Sequence, residues 1–322
     1  MVTLFVVSLD SSSGKTALAA GLTKHFLDSG RKVGFIKPGS GGADAAFMEN
    51  AFTSGEKASM FVAAYSADLK DAVAGMGSQA DVIIVEASLG QTSQDAASQV
   101  VIADAAALGA KVIAVADYAA STKITDFAGF GESLLGVVLN KVPQSRLAKV
   151  CEEVTAQTEI PVLGVIPEAR ALAALSVGEL AERIGGSILN NPEKAAGLVE
   201  NLMLGALVVD SGRDYFARKA NKAAILSHDR PDMQLAALDT STRCLILSGD
   251  TATPDYHVME KARGKGIPLM VTYKTTGDIL DIFTEAMAGA RFGQADKIPH
   301  IGRLLQENLD YTTLEQKLGT AG

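Results

Sequence analysis

The sequence predicts an α/β protein: a doubly wound, mostly parallel sheet, followed by a second and smaller α/β domain. Three observations carry this. Short apolar, β-branched runs alternate with helical periodicities along the chain. The first strand passes into its helix through a turn of small residues. The length of 322 residues suits two cores better than one. Apolar residues make up 48% and charged ones 20%, which places the chain among globular proteins and excludes a disordered one.

The alternation runs in order. Residues 2–7 form an apolar run bounded by polar residues, the mark of a strand buried on both faces. Ala17, Leu18, Ala20, Leu22 and Phe26 recur at helical spacing and predict a helix over 15–28. A strand over 32–36 leads into Lys37-Pro38-Gly39-Ser40-Gly41-Gly42, too rich in glycine for regular structure. Residues 44–74, with their Ala and Met, read as helical. Strands over 81–85, 111–116, 135–139 and 162–165 then alternate with helices over 96–108, 122–129 and 145–158. The polar turn Asn190-Asn191-Pro192-Glu193 divides a first domain, residues 1–190, from a second, residues 191–322. In the second, strands are expected over 206–209, 223–226, 244–247 and 269–272, and helices over 215–220, 254–265, 276–288 and 301–309.

Ligands of a doubly wound sheet bind at the carboxyl ends of its strands, so polar residues there are the candidates. After the first strand come Ser8-Leu9, then Asp10, Ser11, Ser12, Ser13, Gly14, Lys15 and Thr16, and then the helix. Strand, small-residue turn, Gly-Lys-Thr and helix is the order of a P-loop, with Leu9 standing where the usual pattern has its first glycine. Backbone N–H groups of such a turn converge on phosphate oxygens. Lys15 reaches the β/γ-phosphates and the Thr16 hydroxyl ligates Mg2+. Lys37, beside its glycine-rich loop, supplies a second positive charge to a triphosphate or holds an anionic substrate. Glu86, ending the 81–85 strand, is the expected Mg2+ ligand, with Asp44 as a second carboxylate. Asn140 ends another strand, and its amide suits the edge of adenine. ATP and Mg2+ are therefore the expected cofactors.

A net charge of −8 lacks the basic footprint that nucleic-acid binding requires. Cys151 and Cys244 lie far apart and outside any metal-type cluster, which reads as free thiols in a reducing compartment. The N-terminus lacks the basic region of a signal peptide, and no stretch approaches the ~20 apolar residues of a membrane span. A cytoplasmic protein is expected, with no membrane partner.

These residues resemble the dethiobiotin synthetase family of P-loop proteins. Asp10 through Gly14-Lys15-Thr16, Gly34-Phe35-Ile36-Lys37-Pro38 and Val82-Ile83-Ile84-Val85-Glu86 carry the likeness. Gly136-Val137-Val138-Leu139-Asn140 and Leu163-Gly164-Val165-Ile166-Pro167 complete it, in the family's order over about residues 1–180. The resemblance implies that Lys15 and Thr16 bind MgATP, that Glu86 ligates the metal and that Lys37 lies at a reacting carbamate. It also implies that Asn140 reads adenine, with Pro167 in the same nucleotide site, and that the protein pairs as a homodimer. The family's loop begins with glycine where Ser8 stands, and its Glu-Gly-Ala-Gly-Gly segment is Glu86-Ala87-Ser88-Leu89-Gly90 here. Nucleotide binding survives these departures better than diaminononanoate carboxylation does.

Further on, the stretch from His228-Asp229-Arg230-Pro231 to Leu238 and the stretch Leu245-Ile246-Leu247-Ser248-Gly249-Asp250 look like a DRTGG domain, as do Gly266-Ile267-Pro268-Leu269 and Thr275-Thr276. Ser248-Gly249-Asp250 stands where that family usually has Thr-Gly-Gly. A P-loop domain followed by DRTGG resembles the N-terminal, non-catalytic half of long-form phosphate acetyltransferases. Because the chain ends soon after Leu318, the acetyltransferase catalytic domain is not expected. The leading expectation is a MgATP-binding regulatory protein whose DRTGG domain senses a small-molecule effector or binds a protein partner. The alternative is an ATP-dependent enzyme of the dethiobiotin synthetase type, activating a carboxylate or carbamate as a phosphoryl anhydride.

Overall fold

β1 (Val2–Ser8) carries Leu4, Phe5, Val6 and Val7, all wholly buried. An uninterrupted apolar run of this kind fits a strand with neighbours on both sides and helices over both faces. The computed structural model describes residues 1–39, 42–53, 60–65, 69–90, 92, 94–120, 123–157, 160–205, 212–289 and 292–319. The chain divides into two units, one of Met1–Ala169 with Phe292–Gly322, the other of Arg170–Arg291.

In the first unit β1 is followed by α1 (Lys15–Asp28), β2 (Val33–Pro38), α2 (Gly42–Phe52), β3 (Met60–Tyr65), α3 (Leu69–Met76) and β4 (Val82–Ser88). Then come α4 (Ala96–Ala107), β5 (Lys111–Asp117), a 3-10 segment (Ile124–Ser133), β6 (Leu134–Val142), α5 (Leu147–Gln157) and β7 (Val162–Pro167). The seven strands lie in the order β3-β2-β4-β1-β5-β6-β7, and every pair is parallel. Successive strands run outward from β1 on one side, return through β4, and run outward again on the other side. That reversal makes the carboxyl ends of β1, β4 and β5 the natural crevice.

Residues 44–74 depart from the expected continuous helix. Met60–Tyr65 breaks it as β3, which pairs in parallel with the edge of β2. Its run Met-Phe-Val-Ala-Ala-Tyr suits a strand, but an isolated apolar run of six residues has no period that separates strand from helix. The helix expected over 122–129 is the 3-10 segment, and Thr122 lies outside the described residues.

The second unit opens with α6 (Arg170–Ala173), β8 (Leu175–Ser176), α7 (Val177–Ile184), β9 (Ser187–Ile188), β10 (Leu198–Val199) and β11 (Asn201–Leu204). It continues with α8 (Gly212–Ala217), β12 (Lys222–Ser227), α9 (Pro231–Leu238), β13 (Thr242–Ser248), α10 (Tyr256–Gly264), β14 (Leu269–Thr272) and α11 (Thr276–Ala288). Its sheet has the order β11-β12-β13-β14-β9, parallel except for the last pair. The strand expected over 206–209 lies outside the described residues, and β11 pairs with β12.

The boundary expected at 190/191 falls inside this unit. Asn190 is buried, its Oδ1 accepting from Leu269 N at 2.7 Å and its Nδ2 donating to Ile267 O at 3.2 Å. Asn191, at φ 50°, donates to the Ala262 and Ile267 carbonyls. This turn is polar because it is hydrogen-bonded to the start of β14, not because it is a solvated linker.

The chain then returns to the first unit with α12 (Ile298–Asn308) and α13 (Tyr311–Leu318). A Cβ on Gly21 would lie 2.3 Å from Leu305 Cδ1, so α1 and α12 meet at a residue without a side chain. Gly164 on β7 bridges to Leu309, Asp310 N donates to Leu163 O at 2.8 Å, and Lys317 Nζ donates to Leu135 O at 3.0 Å. His25 Nε2 lies 2.8 Å from Glu315 Oε1, and its ring stacks on Tyr311. A second domain running to 322 is thus corrected: the C-terminal helices carry an apolar face that β7 and α1 cover.

Two predictions follow from these packings. A Cβ at Gly164 would sit 2.5 Å from the Asn308 backbone oxygen, which cannot rotate away as a side chain would. Gly164→Ala is expected to cost about 1–3 kcal/mol in urea denaturation. An unchanged midpoint would refute this docking of the C-terminal segment.

Lys222 is wholly buried, its Nζ donating to Thr240 Oγ1 at 2.9 Å and Ser241 O at 3.0 Å, and burial lowers its pKa from 10.5 to about 8. Between those two values the unfolded chain binds more protons than the folded one, so stability rises with pH across that window. Denaturation from pH 7.5 to 10.5, compared between the protein and Lys222→Met, should show this rise only where the lysine is present.

Candidate functional site

The turn after β1 is held by its own polar atoms. Ser8 Oγ donates to Asp10 O at 2.6 Å and accepts from Lys15 Nζ at 2.7 Å. Ser13 Oγ, at 3.1 Å, and Lys15 Nζ, at 3.1 Å, donate to the same Asp10 carbonyl. The serine that replaces the family's glycine therefore anchors the loop lysine. Gly14, at φ 96°, precedes α1 in the left-handed region, where a Cβ would be strained and would also lie 2.3 Å from Asn140 Nδ2. The first amides of α1 have no acceptor within the helix and carry partial positive charge. Burial lowers the Lys15 pKa, with the Glu86 charge opposing it. An ammonium bonded only to neutral oxygens has much to gain from an anion.

Beside the turn, Glu86 is 1% exposed. It lies within β4 and level with Val6, since the strand runs on to Ser88 instead of ending at the carboxylate. Its Oε1 accepts from Thr16 Oγ1 at 2.8 Å and from Lys37 Nζ. Lys37 also pairs with Asp44 Oδ2 at 2.7 Å. Burial works against the Lys37 ammonium, but the Glu86 charge and the hydrogen bonds to Asp44 and Glu86 outweigh it and raise its pKa. Glu86 Oε2 is buried and, among the described residues, without a hydrogen-bond partner. A buried carboxylate oxygen left so is costly, and a cation next to the Thr16 hydroxyl would satisfy it. The donors fit Mg2+, which takes one or two carboxylates and keeps waters and phosphate oxygens for the rest. Among the described residues no group of three or more His, Cys, Asp or Glu could form an all-protein metal cage.

On the other side of β1, the ends of β5 and β6 reach the same turn. Asn140 Nδ2 donates to Ser13 O at 2.8 Å, and its Oδ1 accepts from Lys141 N at 2.9 Å. Lys141 Nζ donates to Ser12 O at 2.6 Å and pairs with Asp117 Oδ2 at 2.8 Å. Lys141 and Asp117 were not among the sequence candidates. Their only signals were a lysine directly after Asn140 and an acid directly after an apolar run. Ser11 and Ser12 are exposed, and Pro167 is buried on β7 opposite Val142.

In the second unit, His228-Asp229-Arg230 follows β12, and Ser248 ends β13 with Gly249-Asp250 after it, both at the carboxyl edge of the parallel strands. Gln234 Nε2 holds the first of these turns through Ser227 O at 2.8 Å and His228 O at 3.1 Å. Gly249, at φ 88°, donates its N–H to Thr272 O and Lys274 O. Arg230 is paired with Asp232 at 2.9 Å.

A parallel sheet whose first strand passes through Gly14-Lys15-Thr16 into a helix, with a buried acid on the adjacent strand, is the frame of a P-loop NTPase. The chain belongs to the AAA domain family, which matches residues 2–176 and is here of the dethiobiotin synthetase-like kind. Residues 179–286 match the DRTGG domain. Among solved structures, the chain is similar to MinD cell division protein of Aquifex aeolicus at 18% identity and a TM-score of 0.40, over 53% of this chain and 84% of that one. It is also similar to the CBS and DRTGG domains of the regulatory region of Clostridium perfringens pyrophosphatase, complexed with the activator diadenosine tetraphosphate. That likeness is 17% identical with a TM-score of 0.32, over 47% of this chain and 73% of that one. FlhF complexed with GMPPNP/Mg(2+) is 15% identical with a TM-score of 0.37, over 52% of this chain and 66% of that one.

Proposed function

We propose that the chain is a MgATP-binding regulatory protein in which the P-loop unit holds the nucleotide and the DRTGG unit responds to a small effector or a protein partner. The observation that carries this reading is the buried Glu86 carboxylate, whose Oε1 accepts from the Thr16 hydroxyl and whose Oε2 has no hydrogen-bond partner among the described residues. Mg2+ bound there would neutralise charge on the phosphates. Lys15, released from Ser8 and the Asp10 carbonyl, contacts a phosphate directly, and the first amides of α1 donate to the same anion. Resemblance to the N-terminal half of phosphate acetyltransferases supports a regulatory role, and we assign acetyl transfer to neither unit. We place the protein in the cytoplasm, a reducing compartment in which the buried Cys244 thiol stays reduced.

Lys37 favours a second reading, an ATP-dependent enzyme that activates a carboxylate or carbamate. Held between Asp44 and Glu86 with a raised pKa, it stays an ammonium and can stabilise negative charge as it develops on a substrate.

Calorimetric titration with MgATP tests the first reading. Lys15→Ala should weaken binding by about 100-fold, the loss of a charge-assisted phosphate contact worth roughly 2–3 kcal/mol. Glu86→Gln should abolish the gain in affinity that Mg2+ brings while metal-free ATP still binds. Absence of millimolar binding by the unaltered protein, or equal affinity in Lys15→Ala, would overturn it. ADP release stimulated by dicarboxylates or amines, and lost in Lys37→Ala with ATP still bound, would favour the enzyme instead.

A further inference from the structure

Among the described residues, the hydrogen bonds from the end of β6 to the P-loop go to backbone carbonyls, those of Ser12 and Ser13. The C=O and N–H of one trans peptide point in opposite directions, and none of the peptide bonds described is cis. Tying Ser12 O to Lys141 therefore turns Ser13 N–H away from β6, and tying Ser13 O to Asn140 turns Gly14 N–H the same way. These are two of the amides that a phosphate-binding turn presents to its anion.

The tie is itself braced. Asp117 Oδ2 pairs with Lys141 Nζ, while its Oδ1 accepts from Ala119 N at 2.9 Å and so fixes the carboxylate. Tyr118 N donates to Asn140 O at 2.9 Å, joining the two strand ends. Lys141 adopts φ 60°, a left-handed backbone that lysine seldom takes, and the turn it makes allows its side chain to come back to the loop. Gly14 completes the fit, because any Cβ there would push Asn140 off Ser13.

We propose that Asp117, Asn140 and Lys141 form a latch that positions the P-loop amides for phosphate, with Lys141 and Asp117 as positioning residues outside the Gly14-Lys15-Thr16 motif. The inference rests on the phosphate-binding reading of that loop. One N–H of the Asn140 amide goes to the loop backbone, and through that bond the latch acts on the phosphates whatever base they carry.

The experiment compares Mg2+-ATP with Mg2+-tripolyphosphate, which has no base, by calorimetry, alongside Tm. Lys141→Gly removes the ammonium and also relieves the left-handed strain, so the protein should fold with an equal or higher Tm. Its affinity for both ligands should fall by the same factor, about tenfold. Lys141→Met should match that loss. Asp117→Asn, which keeps Oδ1, should weaken both ligands alone but add nothing in the Lys141→Met background. Unchanged tripolyphosphate affinity in both Lys141 variants, or a loss confined to ATP, overturns the latch. If the unaltered protein binds neither ligand, the phosphate-binding reading fails, and the latch with it. Binding in the unaltered protein that Lys15→Ala abolishes and the Lys141 variants keep would sink the latch alone.

Discussion

Glu86 buries a negative charge on an interior strand, and an uncompensated buried charge costs about 3–5 kcal/mol. Each feature around it answers that cost. Lys37 arrives from β2 with Asp44 behind it, so its own charge is shared, and Thr16 supplies a hydroxyl from the first turn of α1. The strand order places β2, β4 and β1 side by side, which is why residues far apart in sequence converge on one carboxylate. Among the described residues one of its oxygens has no hydrogen-bond partner, and that residual demand supports the cation site proposed there.

The P-loop is consequently held from two sides by different physics. On the β4 side the forces are between charges, in a setting with little solvent to screen them. On the β6 side they are hydrogen bonds to backbone carbonyls, which set direction more than energy. Ser8 takes part in both, since it accepts a hydrogen bond from the Lys15 ammonium and donates one to the Asp10 carbonyl. A glycine at that position could do neither.

Outside the site, polar residues that look like punctuation in the sequence prove to be structural bonds. Asn190 and Asn191 join the approach to β14, so the second unit begins before them. The chain's AAA and DRTGG matches meet between residues 176 and 179, close to where Arg170–Arg291 separates as a unit. The C-terminal helices return to β7 and α1, and Gly21 and Gly164 mark places where a side chain would keep them away.

Local sequence was enough for the central strands, for α1 and for the order of the P-loop. Apolar runs, helical spacing and Gly-Lys-Thr are read over a few residues, and burial on both faces leaves the parallel strands no other pattern. Lys37 and Glu86 could be singled out because each is a polar residue at or near the end of an apolar run, and Lys15 and Thr16 because they follow Gly14 between strand and helix. What only tertiary structure decided depends on partners distant in the chain. β3 is a strand because β2 offers it an edge, and residues 298–318 join the first unit because an apolar face awaits them there. Lys141 and Asp117 matter through the carbonyl of Ser12, a backbone atom that carries no sequence signal at all.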